Sequence, residues 1–145
     1  MWYKKIKPHL MTEEELREIW KKEYCKQTIK TFDDIVVQFF DSMFDHCFYE
    51  SADRRKKDKS ILSLNRLEKI YWIKDALLDP DAELKVGWDS QSKSYNRSRR
   101  VTLVKGNYVV VILLFAEKRA RFITAYEVNE DENLEKIKSS PAYRT

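Results

Sequence analysis

Tyr108-Val109-Val110-Val111-Ile112-Leu113-Leu114-Phe115-Ala116 is the longest apolar run in the chain, nine residues in all, and the fold turns on whether it is strand or helix. A membrane-spanning helix needs about 20 apolar residues. The run is rich in β-branched residues and lies between two turn signals, Lys105-Gly106-Asn107 and Glu117-Lys118-Arg119, so the pattern predicts a strand buried on both faces. Working outward, Tyr95–Val104 and Arg121–Val128 read as strands on either side, and Glu83–Trp88 as a fourth at the start of the set. Short turns between neighbouring strands predict an antiparallel meander. Something must cover the second face of its centre, either the first helix or the acidic C-terminal one.

Before Pro80 the apolar period is 3.6 instead of 2. Thr12 caps a helix, with Glu15 completing a capping box and Leu16, Ile19 and Trp20 as its apolar stripe. Thr31 is placed to cap a second helix, in which Phe32, Ile35, Val36, Phe39, Phe40, Met43, Phe44, Cys47 and Phe48 follow helical spacing for about four turns. Ser63 caps a third, from Leu64 to Leu78, ended by Asp79-Pro80-Asp81. Asn129–Ser140 is acidic and then helical around Leu134 and Ile137. The expected fold class is therefore α+β, with N-terminal helices packed on a four-stranded antiparallel sheet and a short C-terminal helix. A chain of 145 residues has room for one core. It divides into an N-terminal helical extension (1–30), a main domain (31–128) and an acidic C-terminal helix and tail (129–145).

Composition narrows the chemistry. Cys25 and Cys47 are isolated and only two histidines are present, which argues against a zinc site and suits a reducing compartment. The opening Met1-Trp2-Tyr3-Lys4-Lys5 has no apolar signal core, so a cytoplasmic protein without a membrane partner is expected. No Gly-rich phosphate loop, H-E-x-x-H or paired acidic motif points to a metal or cofactor. Between Lys93 and Arg121 eight basic residues face the single acid Glu117, a net +7 within a chain of +4, so the remainder carries −3. Charge that punctuates adjacent strands converges in space and suits a polyanion. The run Arg54-Arg55-Lys56-Lys57-Asp58-Lys59 reads as a solvated face.

Few residues are placed for chemistry. His46 falls on the flank of the second helix's apolar face, with Ser42 one turn before it and Glu50 one turn after. It is either an acid/base group or a histidine interacting with the helix dipole. Arg66 and Lys74 lie in or beside the apolar arc of the third helix, where they snorkel to solvent or hold a phosphate. On the fourth strand, alternation puts Ile123 and Ala125 on a core face. It leaves Phe122, Thr124 and Tyr126 on the other, as a hydroxyl, a phenol and a stacking ring on one line. Arg97 and Arg99 share a face of the second strand and serve either phosphate binding or protection of a solvated edge. Arg121 opens the fourth strand.

The order of these features resembles phage-associated members of the barnase–EndoU–colicin–RelE (BECR) nuclease superfamily. The resemblance runs over roughly 32–128 and rests on Met43-Phe44-Asp45-His46, on Arg66…Ile70-Tyr71-Trp72-Ile73…Leu77…Pro80, on Tyr108-Val109-Val110-Val111-Ile112 and, most specifically, on Arg121-Phe122-Ile123-Thr124-Ala125-Tyr126. It implies a toxin or phage-derived endoribonuclease that needs no metal or other cofactor. Such an enzyme cleaves RNA, tRNA among the candidates, through 2′-hydroxyl attack. Carried over, His46 is the acid/base, Arg66 and a strand-two arginine bind the scissile phosphate, and Thr124 and Tyr126 line the site. Lys74, Arg97, Arg99 and Arg121 are the RNA-binding candidates. An antitoxin or immunity protein is the partner such an effector would take. A catalytically inactive module of this fold, binding RNA or an acidic protein, is the alternative.

Overall fold

The computed structural model describes residues 3–50, 61–86, 88–89, 94–95 and 100–139. After a 3-10 turn at Pro8–Leu10, α1 (Glu13–Trp20) runs into a π turn at Lys21–Cys25. Two short strands follow, β1 (Ile29–Lys30) and β2 (Val36–Gln38), then α2 (Met43–Phe48), β3 (Tyr49–Glu50) and β4 (Ile61–Leu62). Next come α3 (Leu64–Leu67), α4 (Trp72–Leu78), β5 (Glu83–Val86), β6 (Trp88–Asp89) and β7 (Ser94–Tyr95). The long strands β8 (Arg100–Lys105), β9 (Tyr108–Ala116) and β10 (Arg119–Glu127) precede α5 (Asp131–Lys138). The expected α+β class holds, but the sheet is six-stranded and mixed, in the order β1-β2-β10-β9-β8-β5. The meander β5-β8-β9-β10 is the four-stranded antiparallel part, and β2 adds to it in parallel beside β10.

That extra pair of strands comes from the segment whose spacing predicts a second helix from Thr31. The amide of Thr31 donates to the Ile35 carbonyl and the Ile35 amide to the Thr31 hydroxyl, closing a turn. Asp34 sits at φ 71° within it, a left-handed conformation that Asp tolerates and a helix interior does not. Val36 and Val37 then pair with Arg119 and Ala120. The apolar spacing fitted a helix, but tertiary pairing of β-branched residues prevailed. Only Met43–Phe48 is helical.

The expected third helix is also divided. The Tyr24 hydroxyl accepts from the Lys74 amide at 3.0 Å and donates to the Ile70 carbonyl. It thus takes the place of the Lys74-to-Ile70 bond a continuous helix would make, and a side chain inserted in the ladder breaks the helix. The capping box at Thr12 and Glu15 forms as the sequence predicts.

The main core lies under one face of the sheet. Trp20, Tyr24, Phe39, Phe48 and Phe122 form its aromatic centre, with Trp20 5.6 Å from Phe122 and Phe39 stacked on Phe122 at 5.1 Å. Leu16, Trp20 and Tyr24 belong to this same core, so α1 is built into it. On the other face Val104, Val109, Val111 and Val128 make a smaller cluster, covered by Leu134 and Ile137 of α5. The C-terminal helix, not the first, is the cover the strand pattern required.

The fourth strand departs from simple alternation. Phe122 pairs with Ile112 but Thr124 with Val111, so Ile123 is the extra residue of a bulge. The bulge changes the phase. Phe122, expected opposite the core, is 1% exposed within it. Ala125 is core as expected, whereas Ile123 and Tyr126 pack on the second cluster. No helix among the described residues is long and apolar enough to cross a membrane.

Candidate functional site

β3, α3 and the facing ends of β9 and β10 surround a polar cleft of about 320 Å³, lined by Glu50, Ser63, Asn65, Arg66, Lys69, Tyr108, Tyr126, Glu127 and Asn129. Ser63 caps α3, its hydroxyl accepting from the Arg66 amide, and its own amide donates to the Phe48 carbonyl at 2.7 Å. These bonds fix where Arg66 leaves the backbone. Its Nη1 donates to the Cys47 carbonyl at 3.0 Å, satisfying an acceptor at the end of α2. The guanidinium carbon lies 5.7 Å from the Tyr126 ring centroid, within cation–π range. The guanidinium also contacts the Cys47 thiol and makes no ion pair among the described residues. A guanidinium carries five donors in a planar fork, so among the described residues donors remain beyond those given to Cys47.

Behind Arg66, Lys69 is 2% exposed. Its ammonium donates to the Asn65 side-chain carbonyl at 2.6 Å and to Glu68 at 2.9 Å, and lies 3.5 Å from Glu127. A buried ammonium persists only when paired and hydrogen-bonded, and here all three of its protons have acceptors within reach. The hydrogen bond and charge of Lys69 hold the Glu68 carboxyl below its usual range. Burial pushes the Tyr126 phenol above its usual range, with Arg66 pulling the other way, and burial pushes Tyr108 up more strongly. Both phenols are neutral donors at physiological pH.

Of the sequence-expected residues, Arg66 and Tyr126 come together in this cleft. Thr124 is half-buried on β10. It acts on the buried Cys47 thiol, which burial pushes up while Arg66 and Thr124 pull it down. His46 is exposed and borders a different depression with Ser42, Asp45 and Tyr49. The walls of that depression are braced by Arg17, which pairs with Asp45, reaches the Tyr49 hydroxyl and lies 4.6 Å from the Phe44 ring centroid. Lys74 is paired with Glu23 at 2.9 Å and faces the π turn after α1 rather than the cleft. Arg121 is exposed near the far end of β10, 5.6 Å from the Phe115 ring centroid. Arg97, Arg99 and the 54–59 basic run lie outside the described residues.

Lys69, Tyr108 and Glu50's place in the cleft were not expected. Lys69 follows Arg66 at i+3, a spacing that puts both on one helical face, and this was the available signal. Tyr108 was hidden as the first residue of an apolar strand. Comparison with protein-family models, with curated proteins and with solved structures gives no match, so the chemistry of the cleft rests on its own residues.

Proposed function

We propose that the chain is a metal-independent endoribonuclease of the BECR kind, with the Arg66–Tyr126 cleft as its phosphate site. The observation that carries the reading is a guanidinium with donors remaining among the described residues, set over a phenol and backed by a buried ammonium. Such an array suits the charge of a pentavalent phosphorane, which forms when a 2′-hydroxyl attacks the adjacent phosphorus. That attack needs a base for the hydroxyl proton and an acid for the leaving 5′-oxygen. Glu50, the exposed carboxylate of the cleft, is suited to the first task. The acid must reach that same phosphate, so Tyr126, which lines the cleft and whose phenol burial keeps protonated, is suited to the second, and His46 in the other depression would contact a neighbouring nucleotide. Cleavage leaves a cyclic phosphate and a free 5′-hydroxyl.

The test is incubation of total RNA with the protein in excess EDTA. Wild type should cut, Arg66→Ala, Glu50→Gln and Tyr126→Phe should lose at least about a hundredfold in rate, and His46→Ala should lose less. A second reading is favoured by one observation, that His46 borders a depression of which neither Arg66 nor Tyr126 is part. In it the protein binds RNA without cutting. RNA left intact by wild type, with salt-dependent binding abolished in Arg66→Ala, would decide for that reading.

A further inference from the structure

Tyr108 has no role in the readings above, yet its setting is unusual. The residue is 3% exposed, and its ring packs edge-on against Trp72 at 5.3 Å. Its hydroxyl makes no hydrogen bond among the described residues. A phenol this deep normally finds a partner. Among the described residues the only fully enclosed side-chain polar atom without one is Trp72 Nε1. The open space that Tyr108 borders is the Arg66 cleft. A rigid ring thus holds a phenol at the wall of a cavity that also contains the Arg66 guanidinium, and among the described residues its hydroxyl has no partner.

We infer that Tyr108 is a substrate-contacting residue whose hydroxyl, together with the Arg66 guanidinium, grips a phosphoryl group in the cleft. The donors come from different elements, β9 and α3, and both are fixed before the ligand arrives. Arg66 is anchored by the Cys47 carbonyl and Tyr108 by its buried ring. Preorganised donors of this kind need no reordering on binding. The carboxylates that share the cleft, Glu50 and Glu127, would repel an anion. Glu127 is offset by Lys69, which leaves Glu50 to face the ligand's hydroxyl groups. The ligand class is accordingly a ribonucleoside phosphate, with phosphate towards Arg66 and Tyr108 and sugar hydroxyls towards Glu50.

This inference rests on the phosphate site proposed above but not on cleavage. It is tested by calorimetric titration with uridine 3′-monophosphate, inorganic phosphate and uridine, on wild type and on Tyr108→Phe. The substitution removes one oxygen and keeps the ring against Trp72. The expected result is roughly tenfold weaker binding of both phosphates, no change for uridine, and a melting temperature no lower than wild type, since no hydrogen bond among the described residues is lost. Equal binding of the nucleotide by both proteins, or no phosphate binding by wild type, overturns it. A fall in melting temperature as large as the loss of binding would make Tyr108 structural and also overturn it. RNA cleavage that depends on Arg66 but not on Tyr108 would refute this inference and leave the proposed function standing. Phosphate binding that depends on Tyr108 without RNA cleavage would do the reverse.

Discussion

Tyr24→Phe is a change of one oxygen with a calculable cost. The ring stays between Trp20 and Phe39, at 4.8 and 4.9 Å between centroids, so apolar burial is retained. What disappears is the link that receives the Lys74 amide and serves the Ile70 carbonyl. Ile70 is fully buried, and each buried backbone group left unpaired costs about 1–3 kcal/mol. The two together give about 2–4 kcal/mol after some local relaxation. At roughly 3 °C per kcal/mol for a domain of this size, the melting temperature should fall by roughly 6–12 °C. Urea denaturation followed by tryptophan fluorescence measures the free energy, and amide exchange at Lys74 locates it. Protection at Lys74 should drop by more than the global change accounts for. A loss below about 0.5 kcal/mol, with Lys74 still protected, would refute the account. It would mean that α3 and α4 had joined by a direct Lys74-to-Ile70 bond and that the break is not held open by Tyr24.

Other substitutions separate competing terms. Lys69→Met keeps the stem beneath Trp72 but strips the ammonium from Asn65, Glu68 and Glu127. Relief of desolvation offsets part of the loss, and stability should fall by about 2 kcal/mol in urea titration; a variant at least as stable as wild type would show that desolvation dominates. Gly106 turns at φ 60° with nothing near its missing Cβ. Gly106→Ala should therefore cost only backbone strain, about 1 kcal/mol, with no change in the β8–β9 register by NMR. Asp79 is opposed by burial, yet the Asp81 amide, the Tyr3 hydroxyl and Lys105 hold its carboxyl below the usual 3.8. A depressed carboxyl stabilises the fold above its unfolded pKa and loses that contribution as pH falls through the folded value. Wild type should therefore lose stability below about pH 4 more steeply than Asp79→Asn; parallel acid profiles would remove Asp79 from the account.

What the sequence conveyed depended on whether the signal was local. The Thr12–Glu15 cap, the β8–β9 and β9–β10 turns and the α5 stripe are set by residues a few positions apart, and each forms where its chemistry predicts. The Thr31–Phe48 segment was misread because aromatic residues at helical spacing pack equally well from a turn and a short strand. Its partner β10 lies about 80 residues further on. The break between α3 and α4 depends on a hydroxyl supplied from the π turn after α1, which no window around residue 70 contains. Of the site, the arginine in an apolar arc and the terminal Thr-Ala-Tyr were visible as oddities. Lys69 was equally odd by position and simply lay one turn beyond Arg66. Tyr108 was invisible, because a phenol in an apolar strand looks like core until the space beside its oxygen is known.

The bulge at Ile123 makes β10 two strands in different phase. Upstream of it, Arg119 and Arg121 point away from the core; downstream, Ala125 points in and Tyr126 out. With Ile123 left out of the count, Phe122, Thr124, Ala125 and Tyr126 pair in turn with Ile112, Val111, Val110 and Val109 and alternate in and out without a break, so the bulge adds Ile123 to the second cluster and leaves Tyr126 facing away from the main core. Alternation carried straight through residue 123 from Ala125 therefore assigns the wrong face to Phe122 and Arg121 upstream.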